Sequence, residues 1–221
     1  MNINPKKISE ILLGIGIGAI VFGTVWVALQ FRFAPEPPML PLSLNTDATV
    51  LSEPLAVPAF TFTDHQGKSF SNQELVGYWS FLFFGYTYCP DICPTTLSIL
   101  AQVDKLLQEK QNLVKPRVIF VSVDPTRDTS QKLADYVAYF NPAFLGITGT
   151  EEQVRTLSRP LGIAYQRSPG TETSENYLIE HSASILLVNP QGQVQALISP
   201  PHDATTIAED YQKIVAALGT Q

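Results

Sequence analysis

Two apolar runs, Tyr78–Tyr86 and Arg117–Asp124, constrain the fold of this chain more than any other feature. Both are nearly continuous, which is typical of strands that are buried on both faces of a sheet. Between them, apolar residues recur at steps of three and four, the spacing of an amphipathic helix, at Leu97, Leu100, Val103, Leu106 and Leu107. The pattern therefore predicts a strand, a helix and a second strand in succession.

The rest of the sequence adds strands and helices to this unit. We predict a hairpin over residues 60–70, helices over Thr129–Phe140 and from Thr150, two strands around the turn Asn189–Gly192, and a last helix that ends near Leu218. Residues 166–176 are polar and are predicted to form a loop. The order β-β, β-α-β-α and then α-β-β-α predicts an α/β sandwich with a mixed sheet.

A long apolar segment lies near the N-terminus. Ile11–Leu29 contains nineteen residues without a charge, close to the roughly 20 that cross a bilayer as a helix. Lys6 and Lys7 precede it, so the positive-inside bias places the N-terminus in the cytoplasm. A cleaved signal peptide is the alternative, but the run exceeds an h-region of about 7 to 15 residues and no A-x-A site follows it. Residues 1–30 are therefore predicted to hold a single transmembrane anchor.

The segment after the predicted anchor is rich in proline. Residues 31–54 show little periodicity, which indicates an extended tether, and residues 55–221 are then predicted to form one domain. No basic amphipathic transit peptide precedes the apolar run. We therefore expect the inner membrane of a bacterium, with the C-terminal domain in the periplasm, where dithiols tend to be oxidised.

The overall charge excludes one class of partner. The formal net charge is −6 at pH 7, and the isoelectric point is near 5.0. Contacts to nucleic-acid phosphates require clustered Lys and Arg. No basic run occurs outside the N-terminal lysine pair, so no nucleic-acid partner is expected.

Both cysteines of the chain, Cys89 and Cys93, follow the first predicted buried strand. Ligand sites of open α/β sheets lie at this end of a strand, and the start of the following helix favours thiolate over thiol. If residues 89–93 are helical, the two Cβ atoms are about 5 to 6 Å apart, whereas a disulfide needs roughly 3.8 Å. This spacing favours a metal ion and leaves disulfide chemistry open.

Two sulfurs alone leave a metal ion under-coordinated, and the chain contains three histidines that could supply a third ligand. His65 and His202 are predicted to be solvated loop residues. His181 shares one side of a predicted strand with apolar residues, where an imidazole without a partner is costly. His181 could instead be a core histidine that is hydrogen-bonded to a neighbour, but the presence of the two thiols favours its role as a metal ligand. Two thiolates and one imidazole suit Cu(I), and Cu(II) with further ligands, whereas a structural zinc site usually needs a fourth protein ligand.

Four motifs in order, "FFGYTYCPDICPTTL", "VIFVSVDPTRDT", "FLGITGTEEQV" and "YLIEHSASILLVNPQG", resemble the Sco/SenC family of cytochrome c oxidase assembly factors. The resemblance spans about residues 55–218. It implies a thioredoxin-like fold with an added β-hairpin, and copper bound by Cys89, Cys93 and His181. Asp124 matches an acidic residue that lies close to the metal site in this family. An equally good interpretation is that Asp124, which precedes Pro125, only caps a turn.

The resemblance also implies a function and partners. It implies delivery of copper to, or reduction of cysteines in, the binuclear copper centre of the oxidase. The copper-centre subunit is then the expected target, with a copper-loading chaperone or a thiol reductant as further candidates. Two residues depart from the family pattern: Tyr88 stands where many relatives have histidine, and Glu180 stands where aspartate is common.

The sequence is compatible with three functions. We expect a metallochaperone, which hands on an ion without turnover, rather than an enzyme. The alternative is a thiol-disulfide oxidoreductase with Cys89 as nucleophile and Cys93 as resolving thiol. A thioredoxin-fold peroxidase is least favoured, because it would not require His181 and the chain lacks a Pro-x-x-x-Thr-x-x-Cys motif.

Overall fold

A computed structural model describes residues 45–168 and 177–218 of the chain. The predicted transmembrane anchor, most of the predicted tether and most of the predicted polar loop lie outside these ranges. Within them, no helix combines the length and the apolar character that a membrane crossing needs.

The described residues form ten strands and four α-helices. The strands are β1 Thr49–Ala56, β2 Thr61–Asp64, β3 Ser69–Ser71, β4 Ser80–Gly85, β5 Arg117–Ser122, β6 Leu145–Thr148, β7 Tyr165–Arg167, β8 Ile179–His181, β9 Ile185–Val188 and β10 Gln193–Ile198. The α-helices are α1 Ile92–Gln108, α2 Ser130–Phe140, α3 Glu151–Ser158 and α4 Ala204–Leu218.

Eight strands form one mixed sheet in the order β1-β10-β9-β4-β5-β6-β2-β3. The central strands β4, β5 and β6 are parallel, and the other pairs are antiparallel. The units β4-α1-β5 and β5-α2-β6 therefore connect neighbouring parallel strands, which confirms the predicted α/β class with a mixed sheet. Strands β7 and β8 form a separate two-stranded ribbon.

The centre of the sheet is buried as the apolar runs predict. Every residue of β4 is buried, and so are five of the six residues of β5. Helix α1 adds four buried aliphatic side chains at helical spacing, Leu97, Leu100, Val103 and Leu107. Burying such a side chain contributes about 1.5 to 3 kcal/mol to the free energy of folding. The buried face of α1 therefore holds the helix, and with it the position of its first turn, against the sheet.

The sheet begins earlier in the chain than the sequence suggests. Strand β1 starts at Thr49, inside the stretch predicted as a tether, and pairs antiparallel with β10. Its register shifts between Val50 and Leu55, around Pro54, because proline has no N–H to donate to the ladder. Residues of this edge strand are exposed or half-buried, which explains why no clear periodicity marks it.

The predicted strand before the turn Asn189–Gly192 is divided into two. Ile179–His181 pairs with β7, whereas Ile185–Val188 belongs to the main sheet. Residues 165–167 form β7, although residues 166 and 167 belong to the predicted polar loop. This division places His181 at the end of the β7–β8 ribbon rather than in a strand of the main sheet.

Candidate metal centre

Cys93 lies in the first turn of α1 and is fully buried. Gly85, the last residue of β4, leaves room for its sulfur. A Cβ atom at Gly85 would lie 2.6 Å from the Cys93 Sγ and 2.8 Å from Cε2 of Phe120. A side chain at Gly85 would therefore displace Cys93. Sequence reasoning did not identify Gly85, since this contact depends on how the helix packs on the strand.

Cys89 lies outside the helix. Its N–H donates to the Tyr86 carbonyl at 3.2 Å in a turn after β4, and α1 begins only at Ile92. Residues 89–93 therefore do not form one helical turn, because the chain first turns and then enters the helix. The Cβ separation expected for such a helical turn does not apply to the two cysteines. The side chain of Cys89 is half-buried, so its sulfur lies nearer the surface than that of Cys93.

His181 ends β8 and directs its imidazole at the thiols. Its Nε2 lies 3.2 Å from the Cys93 Sγ, and its Nδ1 lies 3.0 Å from the Ser182 carbonyl oxygen. A carbonyl can only accept, so Nδ1 carries the hydrogen and Nε2 presents its lone pair to the sulfur. The rings of Phe83 and Tyr86 pack edge to face on the imidazole at centroid distances of 6.1 and 5.9 Å. The ring is thus held in the orientation that a metal ligand requires.

The ligand atoms of Cys89, Cys93 and His181 lie within 4.8 Å of one another. In the ranges 45–168 and 177–218, this is the one cluster of three His, Cys, Asp or Glu side chains close enough to share an ion. Two sulfurs and one unprotonated nitrogen form a soft donor set, and soft thiolates select Cu(I). The residues therefore fit a copper ion without rearrangement of the fold.

The other two histidines do not join the cluster. His65 Nδ1 accepts the Gly146 N–H at 3.1 Å, and His202 Nε2 lies 2.9 Å from the Ala183 carbonyl oxygen. Both side chains thus stabilise loops through backbone hydrogen bonds, and both are half-buried, so they are less solvated than the sequence predicts.

The two thiols differ in their electrostatics. A hydrogen bond from the Cys93 thiol lowers the pKa of Cys89 well below that of an ordinary thiol. Burial raises the pKa of Cys93, and the neighbouring Cys89 sulfur raises it further. At neutral pH, Cys89 is therefore the thiolate of the pair and Cys93 holds the proton. A partly exposed thiolate beside a buried thiol can bind a soft metal or attack a disulfide.

A model of the SCO1/SenC family matches residues 49–216 of the chain. The chain belongs to the SCO1/SenC family. An SCO2-like protein of Rickettsia typhi is 33% identical over 174 residues, which cover 79% of this chain and 82% of the relative.

Solved Sco structures agree with this family assignment. The structure of Arabidopsis thaliana ScoI with copper bound is 31% identical, with a TM-score of 0.67, and the match covers 73% of this chain and 99% of that one. Apo Sco1 from Thermus thermophilus is 34% identical, with a TM-score of 0.66, over 79% of this chain and 99% of that one. The mixed sheet shared with these SCO1/SenC structures fits the thioredoxin-like fold that the motifs imply.

Asp124, the acidic residue matched to the SCO1/SenC pattern, is buried at the end of β5. Its carboxylate accepts hydrogen bonds from the Tyr177 hydroxyl and the Arg127 Nε, both at 2.5 Å. Its carbonyl accepts the Asp128 N–H at 2.9 Å. These contacts stabilise the turn after β5, and a role of Asp124 at the metal remains a prediction.

Asp128 is a buried residue of the site that sequence reasoning missed. Its carboxylate accepts hydrogen bonds from the Thr87 N–H at 3.1 Å, the Thr87 hydroxyl at 2.6 Å and the Ser122 hydroxyl at 2.7 Å. Burial raises the pKa of Asp128. The carboxylate joins the loop that carries Cys89 to the end of β5. The motif "VSVDPTRDT" contains this residue, but nothing in the spacing distinguishes it from a solvated charge.

The two departures from the family pattern are both exposed. The Tyr88 ring lies 4.6 Å from the guanidinium carbon of Arg127 and 3.6 Å from the Lys132 Nζ, which are cation–π distances. Glu180 accepts a hydrogen bond from the Gln166 amide at 3.2 Å. Neither residue belongs to the cluster of Cys89, Cys93 and His181.

Proposed function

We propose that this SCO1/SenC protein binds copper as its cargo through Cys89, Cys93 and His181. The proposal includes delivery of the ion to, or reduction of the cysteines of, the binuclear copper centre of cytochrome c oxidase during assembly. The observation that carries it is the cluster of three ligand atoms within 4.8 Å, with the His181 Nδ1 held by a backbone carbonyl.

The position of the cluster supports a chaperone more than a fixed structural site. Cys89 is half-buried and lies in a loop beside the exposed Tyr88. A partner thiol can therefore approach the ion from the side of Cys89, while Cys93 and His181 hold it from within. Three ligands also leave copper with fewer bonds than a closed four-ligand site, which favours transfer.

The proposal also places the protein on a membrane. The uncharged run Ile11–Leu29 supports a single anchor in a bacterial inner membrane, with residues 31–54 leading to a periplasmic copper-binding domain. The proposed partners are the copper-centre subunit of the oxidase and either a copper-loading chaperone or a thiol reductant. Asp124 is proposed to lie near the bound ion without binding it.

Thiol-disulfide exchange is a second candidate function. It is favoured by the difference in pKa between the two thiols: the pKa is lowered for Cys89 and raised for Cys93. The Cys89 thiolate would attack a partner disulfide and release one partner thiolate. Cys93 would then lose its proton and attack the mixed disulfide, which leaves the partner dithiol reduced and a Cys89–Cys93 disulfide formed. This reaction does not require His181.

The role of His181 separates the two functions. The full chain in detergent is titrated with Cu(I) against a competing chelator, as wild type and as His181→Ala. We expect the variant to bind Cu(I) at least about tenfold more weakly while its thiols still form a disulfide. His65→Ala is the matched control, because it removes an imidazole outside the cluster. Equal Cu(I) affinity in wild type and His181→Ala would exclude the three-ligand site.

A further inference from the structure

His202 lies beside the chain segment that carries the metal ligand His181. Its imidazole is half-buried in the loop between β10 and α4. Its Nε2 lies 2.9 Å from the carbonyl oxygen of Ala183, two residues after His181. Because a carbonyl can only accept, Nε2 carries the hydrogen and donates it to Ala183. His202 is therefore outside the metal cluster, but it is bonded to the backbone next to a ligand.

The other nitrogen of the His202 ring shows how specific this placement is. Its Nδ1 is buried, and no group in residues 45–168 or 177–218 forms a hydrogen bond with it. An imidazole nitrogen that is removed from water without a partner costs free energy. In the described structure, the bond to Ala183 is the hydrogen bond that offsets this cost. A histidine that only filled a surface loop would keep both nitrogens in water.

The segment after His181 links β8 to β9 and is held at consecutive residues. The Ser182 N–H donates to the Ala164 carbonyl at 2.8 Å, and the Ser182 Oγ accepts the Ala164 N–H at 3.0 Å. The Ser182 carbonyl accepts the His181 Nδ1–H at 3.0 Å. The next carbonyl, that of Ala183, accepts from His202. Since the His181 ring is bonded to a carbonyl of this segment, its orientation depends on how the segment is fixed.

His202 is itself fixed by the start of α4. The next residue, Asp203, caps this helix, because its Oδ1 accepts the Thr206 N–H at 2.9 Å and the Thr206 hydroxyl at 3.0 Å. Helix α4 packs against α1, which carries Cys93. The bond from His202 therefore links the His181 segment to the pair of helices that holds Cys93.

We infer that His202 is a positioning residue of the copper site. Its Nε2–H holds the Ala183 carbonyl, and this keeps the Nε2 of His181 directed at the two thiols. Strand β8 has three residues, so a long ladder of backbone bonds does not fix its end. The inference rests on the proposed function, in which His181 binds copper, but the orientation of His181 is a property of the copper-free chain.

The first measurement needs no substitution. The reduced, copper-free full chain is prepared in detergent with isotope-labelled histidine, and long-range proton–nitrogen NMR at pH 8 assigns the protonated nitrogen of each ring. We expect His202 to carry its hydrogen on Nε2 and His181 to carry its hydrogen on Nδ1. A His202 ring protonated on Nδ1 alone cannot donate to Ala183 through Nε2 and would overturn the inference.

A pair of variants tests the effect on the ligand. His202→Gln keeps an N–H donor at a reach similar to that of Nε2, whereas His202→Met has the same length and no donor. We expect His202→Met to bind Cu(I) roughly three- to tenfold more weakly in competition with a chelator, and to lose the single Nδ1–H tautomer of His181. His202→Gln should retain both properties. His65→Met is the matched control, because it removes an imidazole that is bonded to the Gly146 backbone outside the cluster.

The outcomes separate positioning from simple loop stability. A less stable His202→Met with wild-type Cu(I) affinity and an unchanged His181 tautomer would overturn the inference, and so would equal losses in His202→Gln and His202→Met. The wild-type tautomers still decide the matter if His202→Met does not fold. Wild type that binds no Cu(I) contradicts the proposed function alone, because the tautomers of the copper-free chain test the role of His202 independently.

Discussion

The Nε2 atom of His181 lies 3.2 Å from the Sγ atom of Cys93, although 88 positions separate the two residues in the chain. The contact joins the β7–β8 ribbon to the first turn of α1. The ligand set therefore depends on packing between distant elements, and changes that move Cys93 should alter copper binding even when all three ligands are present.

Gly85→Ala tests this dependence. The added Cβ would meet the Cys93 Sγ at 2.6 Å, so we expect a loss of about 1 to 3 kcal/mol in unfolding free energy and weaker Cu(I) binding. Gly149→Ala is the control, because its Cβ would meet the Phe62 ring at 2.8 Å, outside the ligand set. Chemical denaturation and Cu(I) competition are measured on both variants. Equal Cu(I) affinities for Gly85→Ala and wild type would contradict the packing argument.

The unequal thiols predict unequal alkylation. Because the pKa of Cys89 is lowered, its thiolate persists as the pH falls, and its reaction with iodoacetamide should change little between pH 8 and pH 5. An ordinary thiol loses reactivity about tenfold per pH unit below its pKa of about 8.5. Buried Cys93, whose pKa is raised, should remain unmodified. Peptide mass spectrometry measures both sites.

Cys93→Ala provides the control for this prediction. It removes the hydrogen bond that is the main cause of the lowered Cys89 pKa, so alkylation of Cys89 should then fall steeply with acidity. An unchanged pH profile in Cys93→Ala would show that this hydrogen bond does not activate Cys89.

Asp128→Asn tests whether the buried carboxylate holds the Cys89 loop. The amide loses acceptor capacity for Thr87 and Ser122, so we expect the unfolding free energy to fall by about 1 to 3 kcal/mol. Cu(I) affinity should fall as well, because the loop that carries Cys89 is released. Asp135→Asn removes the same charge from an exposed position on α2 and should change neither property. A destabilised Asp128→Asn with wild-type copper affinity would restrict Asp128 to a folding role.

The parts of the fold that the sequence predicts well are those with long, regular patterns. Strands β4 and β5 are buried on both faces, and α1 has a helical stripe, so burial alone specifies them. Strand β1 and the β7–β8 ribbon are short or largely exposed. The pairing of these strands depends on neighbouring strands, so no local sequence pattern predicts it.

The candidate site likewise has ligands that the sequence predicts and supporting residues that it does not predict. Residue type and family resemblance identify Cys89, Cys93 and His181, and the structure brings these three together. The turn at Cys89, the close approach of Gly85 to the Cys93 sulfur and the hydrogen bonds of Asp128 arise only when β4, β5 and α1 pack. These supporting residues could not be deduced from spacing, because each contact joins separate elements.

The copper content and absorption spectrum of the reduced full chain, given one equivalent of copper, test the central claim most directly. We predict a stoichiometric complex with thiolate-to-Cu(II) charge-transfer bands, and loss of these bands in both Cys89→Ser and His181→Ala. A chain that retains no copper and instead forms a Cys89–Cys93 disulfide would contradict the copper site and identify a thiol-disulfide protein.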